Sequence, residues 1–310
     1  MMTPDAFVIA LYVLVDDFCK ARYTPPTRTG SAASLCASEV LTLALFEQWG
    51  WFPSERAFYR YARNHFLTLF PRLPHRAQFN RLVRDHTTVA VALFRHLVEL
   101  LGAHASPFQA LDSAAIATRN LKRRGEGWLP GLADIGWSNR RGWYEGFHLL
   151  QSITPEGVIT GFGFGSASVN DHPLAETFFM LRRAQPRGYA AAAGLPAEGP
   201  YLADSGFAGR TNFTHWKHAY GATVIAPPQR SQPRRGWTAE LRRWIASHRQ
   251  IVETVFSRLF HTFGLDRERP HNLQGLQARL AAKAALHNFC ILLNRQLNRA
   301  SLAFADLVDW

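Results

Sequence analysis

Phe108-Gln-Ala-Leu-Asp112-Ser113 is a short apolar run that ends in an aspartate and a serine. A buried strand reads this way when it delivers a carboxylate to the edge of a sheet. The same form returns at Tyr201-Leu-Ala-Asp204-Ser-Gly-Phe-Ala-Gly209. A third acid lies in His248-Arg-Gln-Ile-Val-Glu253-Thr-Val-Phe-Ser-Arg-Leu-Phe260, where the apolar residues recur at helical spacing. Two strand-end aspartates and a helix-borne glutamate can together hold a pair of divalent metals. That arrangement activates both the attacking and the leaving oxygen in phosphodiester chemistry.

Between the two aspartates, Trp143 to Thr154 and Val158 to Phe164 read as strands joined by the turn Pro155-Glu-Gly157, a hairpin. Asn170-Asp-His-Pro173 opens a helix with Leu174, Phe178, Phe179 and Leu181 on its apolar side, and Ala190 to Pro200 reads as a small-residue loop. Thr223 to Ala226 makes a further strand, and Pro227 to Gly236 a Gly-, Pro- and Arg-rich loop. Thr238-Ala-Glu240 then caps a long helix, and His271 to Leu297 reads as a closing one.

Upstream of Gly102 the pattern is helical. Thr3-Pro4 opens one helix, Ser38-Glu-Val-Leu a second that Gly50 can end, and Pro53-Ser-Glu55 a third. A single long helix is expected from His75 to Leu101, with Phe79, Leu82, Val83, Val89, Leu93, Leu97 and Leu100 along its apolar side. The expected division is an all-helical domain over 1–104 and an α/β domain over 105–310. Two units suit 310 residues, because a single core stops growing at roughly 250 to 300.

Lys and Arg total 35 against 23 Asp and Glu, a formal charge of +12 that suits a polyanionic partner. The basic residues cluster as Lys122-Arg-Arg124, Asn139-Arg-Arg141, Arg182-Arg183, Arg234-Arg235 and Arg242-Arg243. Trp128, Trp137, Trp143, Trp237 and Trp244 are interleaved with them. Arginine forks match phosphate and indoles can stack on bases, although a single doublet is equally a solvated surface and a single tryptophan a core residue. Cys19, Cys36 and Cys290 show neither a disulfide framework nor zinc spacing, and a reducing cytosol fits. The apolar run Phe7 to Val15 lacks a basic leader and is too short to span a membrane. No Gly-x-x-x-x-Gly-Lys loop is present, so no nucleotide cofactor is expected.

Strand with acid, hairpin, helix, strand with acid, strand, helix with acid: in that order the chain resembles the DDE transposases of bacterial insertion sequences, of the compact single-chain type. Gly146-Phe-His-Leu-Leu, Thr154-Pro-Glu-Gly-Val and Gly165-Ser-Ala-Ser-Val-Asn-Asp171-His-Pro-Leu-Ala-Glu carry the resemblance through the middle. Val15-Asp-Asp-Phe-Cys-Lys and Leu73-Pro-His-Arg-Ala-Gln-Phe-Asn-Arg carry it near the start. The resemblance implies a ribonuclease H-like mixed sheet flanked by helices, preceded by an all-α domain for DNA binding or dimerisation. It implies Asp112, Asp204 and Glu253 as metal ligands for magnesium or manganese, two ions per site. It also implies a helix arginine one turn before the glutamate, here Arg249, sharing its face and pinning it or a phosphate. Where the fuller signature has a tyrosine seven residues before the glutamate and a lysine seven after, this chain has Ala246 and Phe260, with Arg258 the nearest basic substitute.

The expected activity is metal-dependent cutting of the element's ends and joining of the freed 3′ ends to target DNA. The partners implied are double-stranded DNA, as terminal inverted repeats and as target, and a second copy of the chain on that DNA, in a bacterial cytoplasm with the nucleoid. Arg56, Arg60, Arg63, Arg76, Arg81 and Arg84 could supply phosphate contacts from the helical domain. A nuclease that cuts without joining, an inactive sequence-specific DNA-binding protein and an RNA-processing ribonuclease are the alternatives. Among the remaining acids, Asp171 reads as a helix cap, Asp134 as a solvated loop residue, and Asp16-Asp17 as a surface or interdomain pair. His148 and His172 read as hydrogen-bonded structural residues.

Overall fold

The computed structural model describes residues 1–25, 33–119, 121, 127–183, 191–193, 195–229 and 236–310. The basic runs Lys122-Arg-Arg124 and Arg234-Arg235 lie outside the described residues, as do residues 190 and 194 of the loop expected over Ala190 to Pro200, while Ala191–Ala193 in that loop form a short strand on the sheet edge. The chain forms two compact units: one of Met1–Leu97, Leu259–Arg267 and Asn272–Trp310, the other of Val98–Arg258 and Glu268–His271.

The first unit is helical. In α1 (Pro4–Arg22) the Thr3 hydroxyl accepts from the Ala6 N–H, and Pro4 supplies the preset φ of a first turn. Ser54 caps α3 (Glu55–His65) in the same way. Between them lies α2 (Ala37–Phe46), buried along nearly its whole length. The long helix expected from His75 to Leu101 is two helices, α4 (Arg76–Asp85) and α5 (Thr87–Leu100). At the break the Thr87 hydroxyl donates to the Arg84 carbonyl at 2.6 Å, and such a side-chain bond competes with the helical ladder.

The closing helix α9 (Leu273–Gln296) groups with these helices rather than with the sheet that precedes it in sequence, so the helical unit is built from both ends of the chain. From Leu276 to Ile291 all but Arg279 are buried, and a helix buried all round needs cover on every side. α2 and α4 pack against it, and the Phe7 ring meets those of Phe46, Trp49 and Phe289 at 5.9, 5.5 and 5.4 Å. The buried Lys283 ammonium is satisfied by Gln48 Oε1 at 3.0 Å and the Phe263 carbonyl at 2.7 Å.

The second unit is a sheet with helices. Its strands are β1 (Gln109–Arg119), β2 (Asp134–Ser138), β3 (Gly142–Ile153), β4 (Ile159–Ser166), β5 (Ala191–Ala193), β6 (Gly199–Leu202) and β7 (Ala222–Ile225). They run in the order β5-β4-β3-β1-β6-β7, with β2 paired to β3 alone. β1–β6 and β6–β7 are parallel and the other pairs antiparallel, so the sheet is mixed. The hairpin expected around Pro155-Glu-Gly157 is β3–β4, with Gly157 at a φ of 88°.

Helices α6 (Asp171–Arg183) and α7 (Arg210–Tyr220) cover one face. Leu174, Phe178, Phe179 and Trp216 pack there against Leu111, Leu150, Tyr201 and Val224, each large side chain contributing about 1.5–3 kcal/mol. Arg182 is 1% exposed and ties α6 to two strands and to the segment before β6: it donates to Gln109 Oε1, to Ser152 Oγ at 2.7 Å and to the Leu195 carbonyl at 3.1 Å. The Phe178 ring lies 5.1 Å from the guanidinium. Helix α8 (Ala239–His261) brings Trp244 to the Phe108 ring and Arg249 to Asp112. Even-numbered β1 residues point away from Leu111, so this is the opposite face. Asp134, expected in a loop, heads β2 and stays exposed. Among the described residues no helix is long and apolar enough to cross a membrane, and all three cysteines are free.

Candidate active site

The parallel register of β1 and β6 sets the site. Gln109 pairs with Tyr201 and Ala110 with Leu202, an offset of 92 residues, and 204 minus 112 is also 92. Carried past the last paired residue that offset would match Asp112 to Asp204, but Asp112 is the fourth residue of β1 and not the strand end expected of it, while Asp204 lies two residues beyond the end of β6. β6 ends at Leu202 while β1 runs on to Arg119, so past the last paired residue β1 has a free flank and the chain after β6 turns aside. Strand ends of this kind, where the chain leaves the sheet, are where open α/β sheets place their sites.

Asp204 turns the chain there. Its Oδ1 accepts from the Gly206 N–H at 2.8 Å and caps a one-turn 3-10 helix, Ser205–Phe207. Asp112 Oδ1 accepts from the Ser113 N–H at 2.8 Å. Its Oδ2 accepts from Arg249 Nη2 at 3.2 Å, with the two side chains 23% and 18% exposed. Burial pushes the Asp112 carboxyl up to about 7; Arg249 pulls the other way, and the neighbouring charges of Asp204 and Asp171 add to the rise. A carboxylate crowded by two others is a site that a cation would relieve.

Asp171, expected as a helix cap, belongs instead to this group. It is the first residue of α6, and its Oδ1 accepts from the Ser113 hydroxyl at 2.7 Å. Its Oδ2 lies 2.8 Å, and Asp204 Oδ1 2.9 Å, from the point a Cβ would occupy at Gly206. The glycine keeps open a small space lined by two carboxylate oxygens, and such hard oxygen donors suit magnesium or manganese. No cue in the local sequence marks Ser113 or Gly206; their roles follow from the fold.

Arg249 reaches across to Asp112 and makes no bond to Glu253, and its Nε is buried without a hydrogen-bond partner among the described residues. Glu253 follows one turn later on α8 and is exposed. Among the described residues no three His, Cys, Asp or Glu side chains close into a metal-binding group. The structure thus brings together Asp112, Asp204 and Arg249 with Asp171, and leaves Glu253 on the helix above them. Phe260, at the signature's lysine position, is a buried core residue.

His148 Nδ1 bonds the Val169 carbonyl at 3.1 Å and holds the loop before α6, as expected of a structural histidine. His172 beside Asp171 has its Nε2 buried with no partner among the described residues, its ring 6.0 Å from that of Trp216. Behind it Glu176 accepts from Trp216 Nε1 at 2.7 Å, from His215 at 2.9 Å and from the Tyr220 hydroxyl, joining α6 to α7. Partial burial raises the Glu176 carboxyl, but its three donors outweigh it and hold the group below the ordinary carboxylate value.

A mixed sheet with one aspartate inside β1, a second just past β6 and an arginine-bearing helix beside them fits the ribonuclease H-like fold expected of the chain. The sequence pattern of the family described as "Transposase DDE domain" matches residues 104–289, and the chain belongs to that family. Comparison with curated proteins and with solved structures gave no match.

Proposed function

We propose that this transposase cuts DNA at the ends of an insertion sequence and joins the freed 3′ ends to target DNA. Asp112, Asp204 and Glu253 would hold two divalent ions. The observation that supports this reading is the gathering of three carboxylates, with the charges of Asp204 and Asp171 acting on Asp112 and oxygens of Asp171 and Asp204 flanking Gly206. Bound there, magnesium or manganese would supply Lewis acidity to the attacking water or 3′ hydroxyl and to the leaving oxygen.

The chain's own residues do the positioning. Ser113 orients the Asp171 carboxylate by its hydroxyl, and its N–H orients that of Asp112. Arg249 neutralises Asp112 in the absence of cation and is free to turn its fork to a DNA phosphate once a cation takes its place. Glu253, at i+4 from Arg249 and about 6 Å along the helix, lies on the same side of α8 and would supply the third carboxylate. DNA would be held as terminal repeats by two copies of the chain, in the bacterial cytoplasm with the nucleoid.

A cleavage and joining assay on DNA carrying the element's ends tests the reading. Products in which a 3′ end is covalently joined to a second duplex support transposition. Cut ends that are never joined would favour a metal-dependent nuclease, and binding with no cut an inactive DNA-binding protein. Preference for RNA or hybrid substrates would favour a ribonuclease.

A further inference from the structure

The β2–β3 ribbon has its faces the wrong way round for water. Gly136 and Tyr144 point inward, where Tyr144 is 2% exposed and packs with Ala115 and Ala167. At Gly136 the backbone sits so close that a Cβ would fall 2.2 Å from the Ala167 carbonyl oxygen. The outward face should then be polar, as in half-buried antiparallel ribbons. Instead it carries Ile135, Trp137 and Trp143, exposed by 50%, 54% and 68%, with Glu145 opposite Ile135 as its one charged member among these pairs. Trp137 and Trp143 are direct cross-strand partners and so share that face. The turn between them is Ser138-Asn139-Arg140-Arg141-Gly142, in which Asn139, Arg140 and Arg141 are all exposed, and Gly142 has the φ of 70° that closes a short hairpin.

We propose that this ribbon is a DNA-gripping arm that enters a groove of the duplex, with Arg140 and Arg141 on the phosphates and the paired tryptophans against base edges and sugars. Charge complementarity selects this occupant: an apolar face capped by two adjacent arginines, on a chain of formal charge +12, suits a polyanion with apolar groove walls. A two-stranded ribbon also has the width that the major groove admits. Asp134 and Glu145 lie at the base of the arm, away from its tip, and Glu145 is paired with Arg119.

The register gives the position. Gln151 is the β3 residue opposite Asp112, and Trp143 lies eight residues before it on the same strand. At about 3.4 Å per residue that is roughly 27 Å, or about eight base pairs of duplex. The arm thus reaches intact duplex beside the cut rather than the broken end itself. This inference rests on the proposed DNA-cutting activity and assigns it a contact that the acids do not supply.

The test uses the full chain, Trp137→Ser/Trp143→Ser and Arg140→Ala/Arg141→Ala variants, and a mixed-sequence 40-base-pair duplex at several salt concentrations. Both tryptophans are exposed, so a thermal midpoint equal to wild type is expected and checked first. The arginine variant should lower the slope of log affinity against log salt by about 1.8, from two phosphate contacts. The tryptophan variant should lose about 10- to 100-fold in affinity with the slope unchanged. Footprints on end-bearing DNA should lose protection about eight base pairs from the cut. Wild-type affinity and footprint in both variants, with wild-type cleavage intact, would overturn the arm and leave the activity standing. Unchanged DNA binding with altered sedimentation of the tryptophan variant would also overturn it and make the face a contact between copies. A wild-type chain that neither binds nor cuts DNA would overturn both readings.

Discussion

Gly206→Ala tests the site without removing any acid. The added Cβ would lie 2.8 Å from Asp171 Oδ2 and 2.9 Å from Asp204 Oδ1, when a relaxed carbon–oxygen contact needs roughly half an ångström more. Both obstacles are side-chain atoms, so the fold can give way. Asp204 can move only by weakening its 2.8 Å bond from the Gly206 N–H, a charged hydrogen bond worth about 1.5–3 kcal/mol, part of which water returns at this half-exposed position. A stability loss of about 1–2 kcal/mol is therefore expected. Activity should suffer far more, because the methyl fills the space between the carboxylates and displaces them. Misplacement on that scale costs on the order of 100-fold in rate. The assay is magnesium-dependent nicking of end-bearing plasmid, set beside a urea unfolding curve of the same protein. A Gly206→Ala protein that nicks at the wild-type rate would refute the reasoning, and one that fails to fold would show that the glycine serves the backbone instead.

Other consequences follow from charge and burial. The Asp112 carboxyl, raised to about 7 from the ordinary 3.8, keeps its proton in the folded state where the unfolded chain has lost it, so stability falls as pH rises through that window. In metal-free buffer Asp112→Asn should therefore stabilise the protein at pH 8 by about 2–4 kcal/mol, the lower part of the range reflecting residual solvent contact, and by nothing below pH 4; equal midpoints at pH 8 would contradict this. Glu176 is the opposite case: its depressed carboxyl contributes stability above the ordinary carboxylate value that is lost as pH falls through its folded value. Glu176→Gln should flatten that acid-side fall in a thermal melt series, and an unchanged acid limb would count against its three-donor hub. Arg182→Ala should cost about 3 kcal/mol in urea unfolding through a cavity and lost bonds, and Lys at the same position should not rescue it, since its single ammonium cannot replace the fork. A fully stable Lys variant would contradict that geometry.

Much of the second unit was legible because its strands carry their own punctuation. Pro155-Glu-Gly157 marks the β3–β4 turn, and the run ending at Asp204 marks the exit of β6; the run ending at Asp112 marks a strand too, but that strand continues to Arg119 because its small and β-branched residues keep pairing with β3. The nearness of Asp204 to Asp112 was not legible, since it depends on β1 and β6 becoming parallel neighbours. β2 was hidden because Gly136 stands at its one buried position and Ile135 and Trp137 are exposed, which inverts the alternation that identifies a strand. α7 was missed for a related reason: Arg210–Tyr220 is mostly polar, and Trp216 alone is buried. α9 was expected as a helix, but its grouping with the N-terminal helices could not be read from a segment rich in alanine and apolar nearly all round. Asp171 looked like a helix cap because Asn170-Asp-His-Pro is a helix-opening sequence. Its approach to Ser113, 58 residues earlier in the chain, depends on tertiary packing.

The assignment of Asp112 and Asp204 to one metal-dependent site is tested most directly by strand nicking on DNA carrying the element's ends, with magnesium or manganese, comparing wild type with Asp204→Ala. Cuts at the end boundaries that require metal and vanish in the variant, with DNA affinity retained, are the predicted result. Equal metal-dependent cutting by both proteins would contradict the account.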